Sequence, residues 1–346
     1  MSMIQTRDRP TTSQEHDAPD KPHVPAALLA LGLFLLSPIV AEFLLGNLPI
    51  TAFYALVILA PLYGAGAVLV REIARHAGRG WPTIVILALA YGVLEEGITT
   101  MSLFNPNYAG QRLLDFGYIP ALGMGVPWTV FVLTLHTVWS ISVPILVMEV
   151  LAGERRTTPW LGPVGLALTG VVFLFGIAAN TFISVMAFHF VASPAQLIGT
   201  VVAAAALIWL GLALPARNTR APAQPRLTLP NPWVVGLLSL GATSAFKLLP
   251  RDVSPALYVG GVLLLALVAI VVIRYWAASP GWSDAHRLAL GAGALLTYAW
   301  AAFPQQPMLP ATPAQDVVGN AVFAVAAIGL VAFAAYTVRK RDASYT

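Results

Sequence analysis

Long apolar runs separated by short polar connections are the main pattern along this chain. Ten runs are long enough to cross about 30 Å of hydrocarbon, which takes roughly 20 helical residues. They lie at residues 26–45, 50–70, 81–101, 127–151, 161–186, 194–214, 232–248, 254–274, 286–303 and 315–338. The pattern predicts an all-α, polytopic transmembrane helix bundle with about 10 transmembrane helices, of which the seventh and ninth are the shortest.

Composition supports a membrane protein, because 58% of the residues are hydrophobic and only 10% are charged, against about 25% charged in a soluble domain. The absence of cysteine excludes disulfides, thiolate metal sites and a cysteine nucleophile. We expect three regions. Residues 1–25 form a disordered cytoplasmic tail, residues 26–190 hold helices 1–5 with the polar residues, and residues 191–346 hold the mostly apolar helices 6–10.

The basic residues predict the orientation of the bundle. With ten spans and a cytoplasmic N-terminus, 16 of the 19 Lys and Arg residues fall on the inner side, where basic loops are enriched. The three others are Arg112, Lys247 and Arg251. Both termini are therefore expected to be cytoplasmic. The inner arginines are scattered over six segments, so no nucleic-acid partner is indicated.

Two adjacent carboxylates lie inside the third span. A carboxylate at membrane depth costs roughly 2.5–3.5 kcal/mol on insertion scales and is a functional-site hypothesis by default. The helical rise of 1.5 Å per residue places Glu95 and Glu96 roughly 20 Å from the inner end of this span. The same rise places His136 roughly 14 Å below the outer end of the fourth span. Glu42 lies in the outer third of the first span, so these groups share one layer of the outer leaflet.

Further polar residues accompany these acids. Asn180 and His189 lie near the outer end of the fifth span, Thr99 follows the acid pair by one turn, and Ser140 is on the same helix face as His136. Because consecutive helical residues project about 100° apart, we expect the two adjacent carboxylates to point in different directions. Glu149, by contrast, is predicted to be an interfacial charge at the cytoplasmic edge.

Three chemistries can use two acids and a histidine at one depth. The first is binding of Zn²⁺ with activation of water, where a carboxylate serves as general base. The second is proton or cation coupling in a transporter. The third is a cation-stabilised scaffold without turnover. Soluble enzyme classes are not indicated, because the chain lacks a phosphate-binding glycine loop, a G-x-S-x-G elbow and a dinucleotide fingerprint.

The stretch from Ala88 to Glu96, which contains Tyr91-Gly92 before the acid pair, resembles the first motif of the CPBP intramembrane proteases. This family comprises CAAX-processing and bacteriocin-processing proteins. The segment from Phe131 to His136 is similar to the second motif, with four residues between Phe and His where three are usual. His189 and Ser193 stand in the place of the third motif, and no Arg follows the acid pair.

The resemblance implies a metal-dependent intramembrane protease-like hydrolase. Glu95 or Glu96 would be the catalytic base, and His136 and His189 would be metal ligands, with Zn²⁺ as the expected cofactor. Glu42, Thr99, Ser140 and Asn180 would be supporting residues. We expect a polar cavity in the outer half of the bilayer and a membrane-protein or peptide substrate.

The expected location is the plasma membrane of a prokaryote, with the lipid bilayer as partner. The alternatives are a proton- or cation-coupled transporter and a non-catalytic membrane protein of an uncharacterised family.

Overall fold

Ten long helices and one small hairpin make up the part of the protein that the computed structural model describes, which is residues 24–216, 228–250 and 253–344. The helices are Ala26–Leu44 (α1), Ile50–His76 (α2), Trp81–Thr99 (α3), Val126–Thr157 (α4), Pro163–Phe188 (α5), Pro194–Ala213 (α6), Pro232–Leu248 (α7), Pro255–Ala277 (α8), Asp284–Ala301 (α9) and Pro313–Ala343 (α10). The predicted tail at 1–25 lies almost entirely outside these residues. The prediction of an all-α polytopic membrane protein is confirmed.

Each of the ten predicted spans corresponds to one of these helices, but the helices are not equally apolar. In the described part of the chain, eight helices are long and apolar enough to cross a membrane, and α7 is apolar but shorter. Helix α9 is not in that group, because its first turn carries Asp284, His286 and Arg287. All ten predicted spans are therefore helices in the described residues, and eight of these helices are clear candidates for crossing a membrane.

Helix α9 nevertheless runs the length of the bundle. At its start, Asp284 Oδ2 lies 3.7 Å from both Arg156 Nη1 and Arg341 Nη2. Just after its end, the carbonyl of Ala302 accepts a hydrogen bond of 3.1 Å from Asn320 Nδ2 near the start of α10. Helices α9 and α10 are thus antiparallel, and α9 is a central helix whose polar first turn lies among arginines.

Both ends of the described chain lie at the end of the bundle that carries most of its arginines. Arg155 Nη1 donates to the carbonyl of Val24 at 3.4 Å, and Arg341 Nη2 donates to the carbonyl of Val150 at 2.6 Å. This arrangement agrees with an even number of crossings. That the shared end is cytoplasmic stays a prediction.

Proline marks the first turn of most helices. An N1 or N2 proline costs no helical hydrogen bond, and its fixed φ suits a helix start. Such prolines begin α3, α4, α5, α6, α7, α8 and α10. Side-chain caps reinforce some of these starts, for example the capping box that Ser193 and Gln196 form at α6. The sequence therefore fixes the start of most helices locally.

The helices divide into an inner and an outer group. Half to two thirds of the apolar windows of α1, α2, α3 and α4 is buried, against less than a third for α5, α6, α8 and α10. The outer helices expose large apolar side chains such as Leu174, Trp209 and Leu264, as lipid-facing helices do. The inner helices carry the acids and the histidine.

Close helix contacts depend on small residues, as is usual between helices in membranes. A Cβ atom added at Gly293 of α9 would lie 2.6 Å from the Gly236 carbonyl oxygen and from the Leu240 amide nitrogen of α7. Thr243 and Thr297 join the same two helices through a hydroxyl contact of 2.6 Å. The helix pair α7–α9 is therefore packed backbone to backbone.

We expect Gly293→Ala to destabilise the protein by roughly 1–3 kcal/mol, the range for overpacked sites. The added methyl group meets backbone atoms, which cannot rotate away. Gly241→Ala in α7 is the matched control, since a Cβ there has nothing within 4 Å. Unfolding in detergent, followed by circular dichroism, measures both variants. Equal stability of the two variants would show that the close packing of α7 on α9 contributes nothing to the free energy of unfolding.

A buried ion-pair network occupies the arginine-rich end of the inner helices. Arg75 holds Glu149 through two bonds, Nε–Oε1 at 2.8 Å and Nη2–Oε2 at 2.6 Å. Arg71 Nε lies 3.2 Å from Glu149 Oε1 and also pairs with Glu72. All four residues are buried. The Glu149 carboxylate is thus enclosed and paired, and because the network lies at the arginine-rich end of the bundle, the interfacial depth of Glu149 stays a prediction.

The network also fixes the connection between α4 and α5. Glu72 Oε2 accepts hydrogen bonds from the backbone amides of Trp160 and Leu161, both at 2.9 Å. The Arg71 guanidinium lies 3.3 Å from the centroid of the Trp160 ring. Residues 153–161 are consequently held against α2, at the opposite end of the bundle from the acid pair.

Candidate metal centre

Glu95, Glu96 and His136 meet in the interior of the bundle. The Nδ1 atom of His136 lies 2.9 Å from Glu95 Oε2, and its Nε2 atom lies 2.6 Å from Glu96 Oε1. All three side chains are buried, with Glu95 only 1% exposed. We call these three residues the acid–histidine centre. The structure thus joins residues that are 40 positions apart in sequence.

The two carboxylates approach one imidazole from its two nitrogen atoms. The expectation that adjacent residues point in different directions is met only in part, because both side chains converge on His136. Gly92, one turn before the pair, makes room for this contact. A Cβ at Gly92 would lie 3.1 Å from His136 Cβ, so glycine allows α3 and α4 to approach closely here.

Each of the four inner helices has a π-helical stretch at the level of the centre. The stretches are Ile39–Leu44 in α1, Ala60–Gly64 in α2, Glu95–Thr99 in α3 and His136–Ser142 in α4. Such bulges are rare and occur often at functional sites. Each stretch contributes at least one polar side chain to the centre or its surroundings. The local widening explains how these side chains reach a common interior position.

Glu96 is anchored from outside the centre. Its Oε2 atom accepts hydrogen bonds from the hydroxyls of Ser102 and Thr100, the latter at 3.0 Å. Ser102 in turn accepts a hydrogen bond of 3.1 Å from Trp128 Nε1. Both Glu96 oxygens are therefore occupied, one by His136 and one by hydroxyl groups.

Glu95 is held much less firmly. Both of its oxygens are buried and lack a hydrogen-bond partner in the described residues, although His136 Nδ1 lies at ion-pair distance from Oε2. The hydroxyl of Tyr91, one turn earlier, is also buried and interacts with the Glu95 carboxylate, although the two make no hydrogen bond of ideal geometry. Ser140 Oγ lies 3.1 Å from the same Nδ1 atom. Glu95 Oε1 is thus buried without a well-formed hydrogen bond in the described residues.

A third acid lies beside the centre. Glu42 accepts hydrogen bonds from the Tyr63 hydroxyl and from Asn47 Nδ2, both at 2.5 Å. Unlike Glu95 and Glu96, its side chain is half-buried. The rings of Tyr63 and Tyr91 have centroids 6.0 Å and 6.2 Å from that of His136. Glu42 is therefore connected to the centre through an aromatic wall.

The structure does not bring all predicted site residues together. Thr99 is buried and adjacent to the pair, but its hydroxyl has no partner in the described residues. Asn180 donates to the carbonyls of Ile58 and Gly176 at 3.0 Å and 2.8 Å, so it joins α5 to α2. His189 is exposed at the end of α5 with a left-handed φ of 50°. It does not belong to the acid–histidine centre, and its assignment as a ligand stays a prediction.

Sequence reasoning missed several neighbours of the centre, namely Tyr63, Ser102 and Trp128. Tyr63 lies in an apolar span, where a tyrosine is common and carries little signal. Ser102 lies in the connection between α3 and α4 (residues 100–125), which we call the outer connection after its predicted orientation, and Trp128 lies in the first turn of α4. Their distance from the acids in space was set by the fold of residues 100–125, which includes the short pair Tyr118–Ile119 and Met124–Gly125.

The acid–histidine centre offers the kinds of ligand atoms that could hold a divalent metal ion. Glu95, Glu96 and His136 each offer one ligand atom, and these atoms lie within 4.8 Å of one another. Imidazole nitrogen and carboxylate oxygen are ligands that Zn²⁺ uses, and three protein ligands leave an open position in catalytic zinc sites. Glu95 Oε1, which is buried without a well-formed hydrogen bond in the described residues, is a second indication, since buried polar atoms are normally paired.

Charge also favours a cation. In the part of the chain that the structure describes, His136 is the only group at ion-pair distance from either carboxylate. Two ionised carboxylates and one imidazolium leave a net negative charge in a buried position, which is costly. A dication with a neutral imidazole would cancel the charge of Glu95 and Glu96.

The fold and the centre together define a multi-pass, all-α membrane protein with a buried cluster of two acids and a histidine. A profile of an uncharacterized membrane protein family matches residues 31–341, which is most of the chain, and the protein belongs to this family. The resemblance to CPBP proteases is not confirmed by this match. No curated protein and no solved structure shows significant similarity to the chain.

Proposed function

We propose that this protein is a metal-dependent hydrolase that acts inside the prokaryotic plasma membrane. The observation that carries the proposal is the position of His136 between two buried carboxylates, one of which has unsatisfied oxygens. The outer connection follows α3 directly, and the centre lies at that end of α3. The expected polar cavity in the outer half of the bilayer would lie here.

The role of each of the three residues would depend on how firmly protein hydrogen bonds orient its side chain. Glu96 and His136 are oriented by protein hydrogen bonds, so they suit the role of fixed ligands. Glu95 would offer Oε2, the oxygen next to His136, as the third ligand atom and would keep Oε1 for proton transfer. Zinc in such a site supplies Lewis-acid chemistry, which polarises a carbonyl group and makes water a better nucleophile near neutral pH.

Glu95 Oε1 is the atom best suited to accept a proton, because it is buried and makes no well-formed hydrogen bond with the described residues. In hydrolysis of a peptide bond, water attacks the carbonyl carbon and passes one proton to this oxygen. The C–N bond then breaks, and Glu95 returns the proton to the leaving amine. General base catalysis of this kind contributes about 10²- to 10⁴-fold to the rate.

The proposal predicts that Glu95→Gln abolishes cleavage while the protein still inserts and folds. A glutamine cannot accept the proton, so turnover should fall by at least about 100-fold. Membranes from cells that carry wild type or Glu95→Gln are compared by quantitative mapping of protein N-termini. Asp115→Asn, at an exposed acid of the outer connection, is the matched control.

Cleavage products that require Glu95 but tolerate Asp115→Asn would support the hydrolase. If wild type and Glu95→Gln give identical N-termini while the wild type binds stoichiometric zinc, the hydrolase proposal is contradicted and only the metal site is supported.

A second candidate is a transporter coupled to protons or cations. Glu42 favours it, because a third carboxylate lies next to the centre on a residue that is only partly buried. Uptake or efflux in reconstituted vesicles should then depend on pH or Na⁺, and Glu42→Gln should uncouple it. A flat response to both ions would remove this candidate.

A further inference from the structure

Residues 100–105, which we call the outer turn, fold back onto the acid pair. The Glu96 side chain accepts hydrogen bonds from the hydroxyls of Thr100 and Ser102, and the backbone amide of Leu103 donates to the Glu96 carbonyl at 3.2 Å. Three hydrogen bonds, from Thr100, Ser102 and Leu103, thus tie this turn to one residue of the centre.

The hydrogen atom of Ser102 has a fixed direction. Because Trp128 Nε1 donates to Ser102 Oγ, the Ser102 hydroxyl donates its own hydrogen to Glu96 Oε2. Ser102 is fully buried. Trp128 lies in the first turn of α4, the helix that carries His136, so the chain Trp128–Ser102–Glu96 links the two helices that supply the centre.

The outer turn is also packed in place. Met101 adopts a left-handed φ of 53°, which is uncommon for a residue with a side chain. Its buried side chain packs with Leu103, Phe104 and Val132. Ser184 Oγ at the end of α5 donates to the Thr100 carbonyl at 3.2 Å. The turn therefore covers the acid pair in a conformation that tertiary contacts impose.

We infer that Ser102 and Trp128 are positioning residues that hold Glu96 as a ligand and couple cation binding to closure of the outer turn. Glu96 presents Oε1 to His136 and Oε2 to Ser102, so it can face the cation and the turn at once. If closure of the outer turn raises the affinity for the cation by some factor, thermodynamic linkage requires that the bound cation favours closure of the turn by the same factor. This inference rests on the proposed metal site.

Zinc affinity of the full chain in detergent tests the positioning role. Outer-shell partners of metal ligands typically account for 10- to 100-fold in affinity. Ser102→Ala and Trp128→Phe should each raise the zinc dissociation constant by about that factor in competition with a chelator. Ser142→Ala is the matched control, because the Ser142 hydroxyl is buried without a partner in the described residues, and its affinity should stay within about threefold of wild type.

Hydrogen exchange of the outer turn tests the coupling. Zinc should slow amide exchange at residues 100–105 by about tenfold or more in wild type, and Ser102→Ala should abolish most of that difference. Trp128→Phe keeps an aromatic ring and so separates a lost hydrogen bond from a lost fold.

The two proposals fail in different ways. If wild type binds zinc, but Ser102→Ala matches Ser142→Ala in affinity and zinc leaves exchange unchanged, the coupling is wrong and the metal site stands. If wild type binds no zinc, both proposals are overturned.

Discussion

His136→Ala should remove zinc from the purified protein, with a dissociation constant raised by more than about 100-fold. Loss of an outer-shell partner already costs 10- to 100-fold, and His136 lies at ion-pair distance from both carboxylates, as no other described residue does. Metal content after extensive dialysis, measured by inductively coupled plasma mass spectrometry, gives the stoichiometry. Chelator competition gives the affinity.

His189→Ala is the matched control for this experiment, because it removes an exposed histidine outside the acid–histidine centre. It should retain one zinc ion per chain with unchanged affinity. Loss of zinc in His189→Ala would restore the assignment of His189 as a ligand. Retention of zinc in His136→Ala would contradict the centre that the structure defines.

The folding of His136→Ala needs a separate measurement, because two buried carboxylates lose their partner. His136→Gln keeps a polar side chain at this position and is the second variant. If both variants elute like the wild type on gel filtration and still lose zinc, the loss of zinc is due to removal of the His136 ligand and not to misfolding. A zinc-loaded His136→Gln protein would count against the centre as firmly as a zinc-loaded alanine variant.

The fold could be predicted from sequence because its determinants are local. Apolar runs of about 20 residues directly indicate membrane-spanning helices, and prolines such as Pro163 and Pro313 indicate where helices start. Helix α9 was predicted for the right stretch, but its role depends on tertiary contacts. Asp284 begins it among the arginines of α4 and α10, which no local pattern shows.

The centre was predictable in its residues but not in its geometry. Depth along each helix placed Glu95, Glu96 and His136 in one layer, and the structure joins them. The convergence of two adjacent carboxylates on one ring was not predicted, because an ideal α-helix turns about 100° per residue. The π-helical stretches at Glu95 and His136 depart from that ideal. Depth could not tell whether Asn180 or His189 faces the same interior.

Glu149 shows the opposite limitation. Its place in sequence, close to Arg155 and Arg156, predicts an interfacial charge at the cytoplasmic edge but does not indicate its partner. In the structure, Arg75 on α2 binds it with two hydrogen bonds in the interior. The partner is 74 residues away, so only the packing of α2 against α4 reveals the pair.

Glu149→Gln should destabilise the protein by about 3–5 kcal/mol, the range for a buried ion pair that loses one member. The variant leaves Arg75, which is 5% exposed, with a neutral partner in place of its carboxylate, and weakens the contact with Arg71. Titration with dodecyl sulfate in mixed micelles, followed by circular dichroism, measures the free energy of unfolding. Asp115→Asn breaks an exposed pair with Arg112 and should cost less than about 1 kcal/mol.

The double variant Arg75→Met with Glu149→Met separates the charge from the packing. Removal of both charges leaves no uncompensated ion, and apolar replacement of a buried pair is often neutral or stabilising. The double variant should therefore recover most of the stability that Glu149→Gln loses, since Arg71 keeps Glu72 as its partner. A double variant as unstable as the single one would mean that Arg75 and Glu149 act through shape and hydrogen bonds to their surroundings. A small effect of Glu149→Gln alone would instead mean that the pair with Arg75 contributes little to stability.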